Sequence, residues 1–159
     1  MFFNGNIRKT YILGGGVRWM IENNKYSSVQ KENDDDMASL DAAIGNRHVK
    51  RAISYIKENY TDFKLTRKKV AQAVGVHIDW LSNLFKKETG ITIGEYITLR
   101  KIKKAEILLK TTDHKIKDVA IMVGYEDSYY FSNKFKQINS ITPSEYRIFN
   151  KNYKDEEKK

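Results

Sequence analysis

The stretch TRKKVAQAVGVHIDWLSNLFKKETG, Thr66 to Gly90, decides how this chain folds, because a second version of it, IKDVAIMVGYEDSYYFSNKFKQINS, fills Ile116 to Ser140. From one copy to the next, Ala71, Gly75, Leu81, Phe85, Lys86 and Gly90 return as Ala120, Gly124, Phe131, Phe135, Lys136 and Ser140. So many fixed points in the same order make an internal repeat rather than a coincidence of composition. Each copy reads as a helix with Ala and Val or Ile on one face, a tight turn at Gly, and a second helix with Leu or Phe at helical spacing. That is a helix-turn-helix pattern. Ala lets two helices cross closely, and Gly75 and Gly124 can supply the positive φ that such a turn needs.

Outward from the repeat, helical signals continue on both sides. Upstream, Asn46 predicts an N-cap for a helix in which Val49, Ala52, Ile53 and Ile56 follow the i, i+3, i+4, i+7 rule. Thr66 is placed to cap the first repeat helix, with Val70, Ala71 and Val74 inward, and the second runs from about His77 to Glu88 on Leu81, Leu84 and Phe85. Between the copies, Thr92 and Glu95 have capping-box spacing and open a long helix carrying Tyr96, Ile97, Leu99, Ile102, Ala105, Leu108 and Leu109. Such a helix is roughly 25 Å long and acts as a spacer rather than a tether. A second capping box, Thr142 to Glu145 with Pro143 at the tolerated first position, starts a short final helix through Tyr146 and Phe149. The fold class predicted is all-α, two helix-turn-helix modules joined by a long linker helix, about seven helices in all.

The ends of the chain read differently. Residues 1–21 hold scattered apolar groups that predict a short helix or strand broken at Gly14 to Gly16. Residues 22–36 are polar, end in the run Asp34 to Asp36, and read as a linker. The predicted organisation is a short N-terminal segment and acidic linker over 1–45, a folded domain over 46–150, and a charged, frayed tail over 151–159.

Charge divides the chain in the same way. Residues 1–45 carry five Lys or Arg against six Asp or Glu, whereas residues 46–159 carry 24 against 14, so the repeat region holds all of the formal net charge of +9. A basic helical region suggests a polyanionic partner, nucleic acid before an anionic membrane surface, although a soluble lysine-rich surface has the same composition. The absence of Cys rules out disulfides and thiolate metal sites and fits a reducing compartment. The longest early apolar run, Tyr11 to Val17, contains three glycines and is too short to span a membrane. A cytoplasmic protein is expected.

The segments LSNLFKKETG, YITLRKIKKAEILL, IKDVAIMVGYEDSYYFSNKFK and ITPSEYR stand in this order between about Asn46 and Asn150. Together they resemble the DNA-binding domain of the AraC/XylS family of bacterial transcription regulators, over about two thirds of the chain. The resemblance implies an all-helical pair of helix-turn-helix modules on a long helix, with the exposed face of each second helix in a major groove. By position it implies DNA contacts from Ile78, Asp79, Ser82, Asn83 and Lys86 in the first module. In the second it implies Ser128, Tyr129, Ser132, Asn133 and Lys136. These residue types are suited to reading DNA. Asn pairs with adenine through two hydrogen bonds, Asp accepts from cytosine, Ser serves either, Tyr touches a thymine methyl and Lys holds phosphates. The partners implied are double-stranded DNA and, for an activator, RNA polymerase, with the chain acting as a monomer or weak dimer on DNA.

This sequence departs from the family pattern at Asn83 and Asn133, where Arg is common, so a less G-rich site is expected. His77 stands where the family often has a Ser cap, predicting a weaker helix start, and Ser140 replaces the Gly matching Gly90. Many members also carry an N-terminal ligand-binding domain that 45 residues cannot make, which predicts a stand-alone reader or a truncated relative.

Other assignments compete at several positions. Leu81, Phe85, Phe131 and Phe135 are expected in the core, and packing is favoured for Trp80 and Tyr130. His48, His77 and His114 lack metal-ligand spacing, Asp34 to Asp36 diverge as a loop would place them, and Gly14 to Gly16 lacks the Lys of a phosphate loop. No cofactor or metal is expected. An enzyme would need a nucleophile with a base, paired carboxylates or a metal, and no segment supplies one. The remaining alternative is a non-specific nucleic-acid-binding or protein-interaction helical module, which would not need polar groups on both second helices.

Overall fold

The computed structural model describes residues 12–13, 17–18, 37 and 41–156, with side chains at 37 and 41–150. Among the described residues, seven helices are complete, α1 (Arg47–Asn59), α2 (Arg67–Val74), α3 (Ile78–Thr89), α4 (Ile93–Thr111), α5 (Ile116–Met122), α6 (Ser128–Asn139) and α7 (Pro143–Glu156), and residues 41–43 ahead of α1 are helical as well. The short pairing β1 (Ile12–Leu13) with β2 (Val17–Arg18) is antiparallel and flanks the three glycines, so that of the helix or strand expected there these residues form strand. It is too small to form a layer of its own. The polar linker and acidic run expected at 22–36 lie outside the described residues.

Capping follows the sequence closely. Asn46 accepts from the His48 amide, Thr66 from the Lys69 amide, and both predicted capping boxes close in both directions. In each box the Thr amide donates to the Glu carboxylate, which holds Glu95 and Glu145 below the ordinary carboxylate range. At the start of α3, where a weaker cap is expected, the His77 Nδ1 accepts from the Asp79 amide at 3.3 Å. An imidazole nitrogen can serve as a cap acceptor in place of a Ser hydroxyl. The last helix also runs beyond the predicted end at Phe149, to Glu156, since nothing in Lys151 to Glu156 breaks a helix.

The core has two centres that share one helix. Val49, Ala52, Ile53 and Ile56 of α1 pack with Val70, Ala71 and Val74 of α2, Leu81 and Phe85 of α3, and Ile93, Tyr96 and Ile97 from the first turns of α4. Ile102, Ala105, Leu108 and Leu109 from the rest of α4 pack with Val119 and Ala120 of α5, Phe131 and Phe135 of α6, and Tyr146 of α7. Burying each such large apolar side chain contributes roughly 1.5–3 kcal/mol. The 19 residues of α4 are therefore part of both cores, about 28 Å of helix that cannot bend without disturbing one or the other.

Packing begins slightly ahead of Asn46. Ile44 is buried in the first core, and the Asp41 carboxylate accepts from the Tyr96 hydroxyl at 2.6 Å and pairs with Lys57 and Arg100. Desolvation and that carboxylate push the Tyr96 phenol far above its ordinary range.

Candidate nucleic-acid interface

Helix α3 buries Leu81, Phe85 and Thr89, which leaves the opposite face free by simple helical geometry. Asp79, Asn83 and Lys86 stand on that face at i, i+4 and i+7, all exposed. Helix α6 repeats the arrangement: Phe131 and Phe135 are buried, and Tyr129, Asn133 and Lys136 are exposed at the same spacing. Tyr129, at 76% exposure, is the most open large hydrophobic side chain among the described residues. Six of the ten residues expected from sequence thus form two matching polar faces.

The other four sit at the edges of those faces. Ile78 is half-buried against the first core, and Ser128 is half-buried at the start of α6. The Ser82 hydroxyl donates to the Ile78 carbonyl at 2.7 Å, and the Ser132 hydroxyl to the Ser128 carbonyl at 2.8 Å. With its proton committed to its own helix, each hydroxyl offers a partner only its lone pairs.

Two aromatic residues widen the faces beyond the sequence expectation. Trp80 is 47% exposed and meets His48 edge-on at 5.2 Å, and Tyr130 is 53% exposed beneath the Lys134 ammonium at 5.5 Å. Their packing is partial, not complete. The sequence signal is a matched pair of large aromatics one position before a core residue, which by helical spacing puts them on the flank of each second helix. Arg67 and Lys68 at the start of α2, and Lys115 and Lys117 at the start of α5, are exposed as well.

The two turns leading into these helices differ. In the first module Gly75 has φ +80°, and a Cβ added there would meet nothing within 4 Å. In the second Gly124 has φ +86°, and a Cβ would lie 2.3 Å from the Thr61 carbonyl oxygen of the loop between α1 and α2. The second turn therefore rests directly on the first module. From Gly to helix start the first turn has Gly75, Val76 and His77, and the second has Gly124, Tyr125, Glu126 and Asp127. Tyr125, the residue after Gly124, lies inward against Phe131 at 5.4 Å, and burial pushes its phenol up to about 12. Asp127 then caps α6 by accepting from the Tyr129 and Tyr130 amides at 2.7 and 3.0 Å.

Among the described residues no group of three or more His, Cys, Asp or Glu could hold a metal, and no helix is long and apolar enough to cross a membrane.

Comparison with known proteins agrees with this architecture. Residues 70–148 match the family model described as a helix-turn-helix domain. The uncharacterized HTH-type transcriptional regulator YijO of Escherichia coli K12 is 42% identical over 93 residues, 58% of this chain and 32% of the relative. The arabinose operon regulatory protein of the same strain is 36% identical over 109 residues, 69% of this chain and 37% of the relative. The chain thus spans about a third of the length of these relatives. It covers 85% of the transposon Tn10 TetD protein of Escherichia coli at 32% identity, with 78% of its own length aligned. Among solved structures, the C-terminal domain of AraT, a response regulator from Geobacillus stearothermophilus, superimposes with a TM-score of 0.64 at 34% identity, covering 65% of this chain and 86% of that one.

Proposed function

Since the chain belongs to the AraC/XylS family of transcription regulators and carries that family's double helix-turn-helix domain, we propose that it is a sequence-specific reader of duplex DNA and a transcription activator acting in the cytoplasm. The observation that carries this is the pair of matching faces, Asp79, Asn83 and Lys86 on α3 and Tyr129, Asn133 and Lys136 on α6, set on one shared helix. Each face enters a major groove. Asn83 and Asn133 read adenine edges, Asp79 accepts from a cytosine amino group, Tyr129 packs on a thymine methyl, and Lys86 and Lys136 hold phosphates. Ile78, Ser82, Ser128 and Ser132 line the edges of the contact. RNA polymerase is the second partner of an activator, and a single chain, having two readers, suffices for one asymmetric site.

Successive major-groove openings on one face of DNA are about 34 Å apart. A rigid α4 that holds the readers closer than this requires the DNA to bend toward the protein, so the sequence between the two contacts matters as well. The test is selection of binding sites from a random duplex pool at physiological salt. Two short enriched blocks about one helical turn apart are expected, with A rather than G opposite Asn83 and Asn133. Binding with no enriched sequence sinks the proposal. With about six to ten phosphate contacts, affinity also falls by roughly 10³ to 10⁵ between 50 and 200 mM salt.

A further inference from the structure

One charged side chain of α4 is enclosed where no ordinary core position needs it. Lys101 is only 7% exposed, yet among the described residues no carboxylate lies at ion-pair distance from it. Its Nζ donates to the Gly124 carbonyl at 2.7 Å and stands 5.0 Å from the centre of the Tyr125 ring. Burial works against the ammonium, and the Asp62 carboxylate favours it. Asp62 is the neighbour of Thr61, whose carbonyl lies against Gly124.

These contacts meet at a single place. Gly124 belongs to the turn of the second module, Thr61 and Asp62 to the first, and Lys101 to the helix that serves both. Helix α5 ends just before Gly124 and has no basic residue in its own last turn. Lys101 supplies the cation that the carbonyl end of that short helix lacks. A Leu or Met would fill the volume but leave the Gly124 carbonyl without this donor in a largely buried place. An ammonium that costs desolvation energy is explained by what it holds in position.

We propose that Lys101 is a positioning residue for DNA recognition: by clasping the Gly124 turn against the Thr61 loop, it fixes the separation and angle of α3 relative to α6, and so the spacing between the two DNA blocks that the protein accepts. The proposal rests on the reading of both faces as DNA readers. It assigns Lys101 no contact with DNA.

The experiment uses the full chain and duplexes carrying the two selected blocks at their natural spacing or with one base pair inserted or removed between them. The wild-type protein loses roughly tenfold or more in affinity for either altered duplex, because a fixed pair of readers must twist or bend the DNA to engage both. Lys101→Met keeps the sequence preference within each block but narrows that penalty to within about threefold, and Lys101→Arg, which retains a cationic donor, restores it. Lys101→Gln, whose amide is too short to reach Gly124, behaves as Lys101→Met does and serves if that variant does not fold. Equal loss at every spacing with an unchanged penalty would falsify the positioning role and leave Lys101 a stabilising residue only. If the wild-type protein itself enriches one block or none, the two-reader proposal fails instead, and that result is visible before any variant is made.

Discussion

Between the two modules, the same plan is closed by different means. In the first, the turn at Gly75 opens to solvent, the cap of α3 is an imidazole with one bond of 3.3 Å, and α3 ends at Gly90 with φ +78°. In the second, the turn at Gly124 lies on Thr61, the cap of α6 is a carboxylate with two bonds, and α6 ends at Ser140 with φ +66°. The comparison teaches that a repeated sequence need not be a repeated set of constraints. The first turn answers only to its own backbone, while the second also answers to the neighbouring module. That difference can be tested one position at a time.

The largest effect is expected at the glycines. Gly75→Ala suffers only from a left-handed conformation, a cost of about 1–2 kcal/mol. Gly124→Ala meets the same strain and drives a methyl into the Thr61 carbonyl, so a loss of about 2–5 kcal/mol is expected. Urea unfolding of the two variants measures the gap. Equal losses would mean that the modules do not touch at this point in solution.

The next effect compares the two reading faces. Asn83→Ala and Asn133→Ala should each lose about 1–3 kcal/mol at the selected site and relax preference at one base pair, while Lys86→Ala and Lys136→Ala weaken all duplexes alike. Titration of each variant against selected and scrambled DNA separates the two kinds of loss. If one Asn proves silent and the other does not, only one module reads bases and the other holds the backbone.

The caps come third. Asp127→Ala removes two bonds and a negative charge from the start of α6, so about 1–2 kcal/mol is expected, whereas His77→Ala removes one long bond and costs about 0.5 kcal/mol or less. Thermal unfolding monitored by circular dichroism ranks them, and the reverse order would show that the imidazole cap is the stronger one.

The two core patterns and most of the caps are legible in the sequence because they depend on local spacing. Leu81, Phe85, Phe131 and Phe135 are fully buried where the periodicity puts them. Six of the proposed readers are exposed because the face opposite a buried stripe must be. At His77 residue type predicts a weaker cap, and the structure adds that a ring nitrogen supplies it through one bond of 3.3 Å. Lys101 is not legible at all: in sequence it is one more lysine in a basic helix. Its meaning comes from Gly124 and Thr61, which are distant in the chain. Local rules locate a surface, but contacts between modules fix its geometry.

The smallest effect bears on the ends of the two reading helices. Ser140 is the only residue other than glycine with positive φ among the described residues, and it occupies the place that Gly90 fills in the first module. An L side chain in this region strains against its own backbone, whereas glycine does not. Ser140→Gly relieves that strain but loses part of the gain by loosening the unfolded chain, so a net gain of about 0.5–1 kcal/mol is expected. For a domain of this size that raises the unfolding midpoint by about 2–6 °C. Gly90→Ser makes the reverse exchange and should lower it by a similar amount. If Ser140→Gly lowers the midpoint instead, the serine makes a contact worth more than its strain, and the second module has replaced the glycine stop with a stronger one.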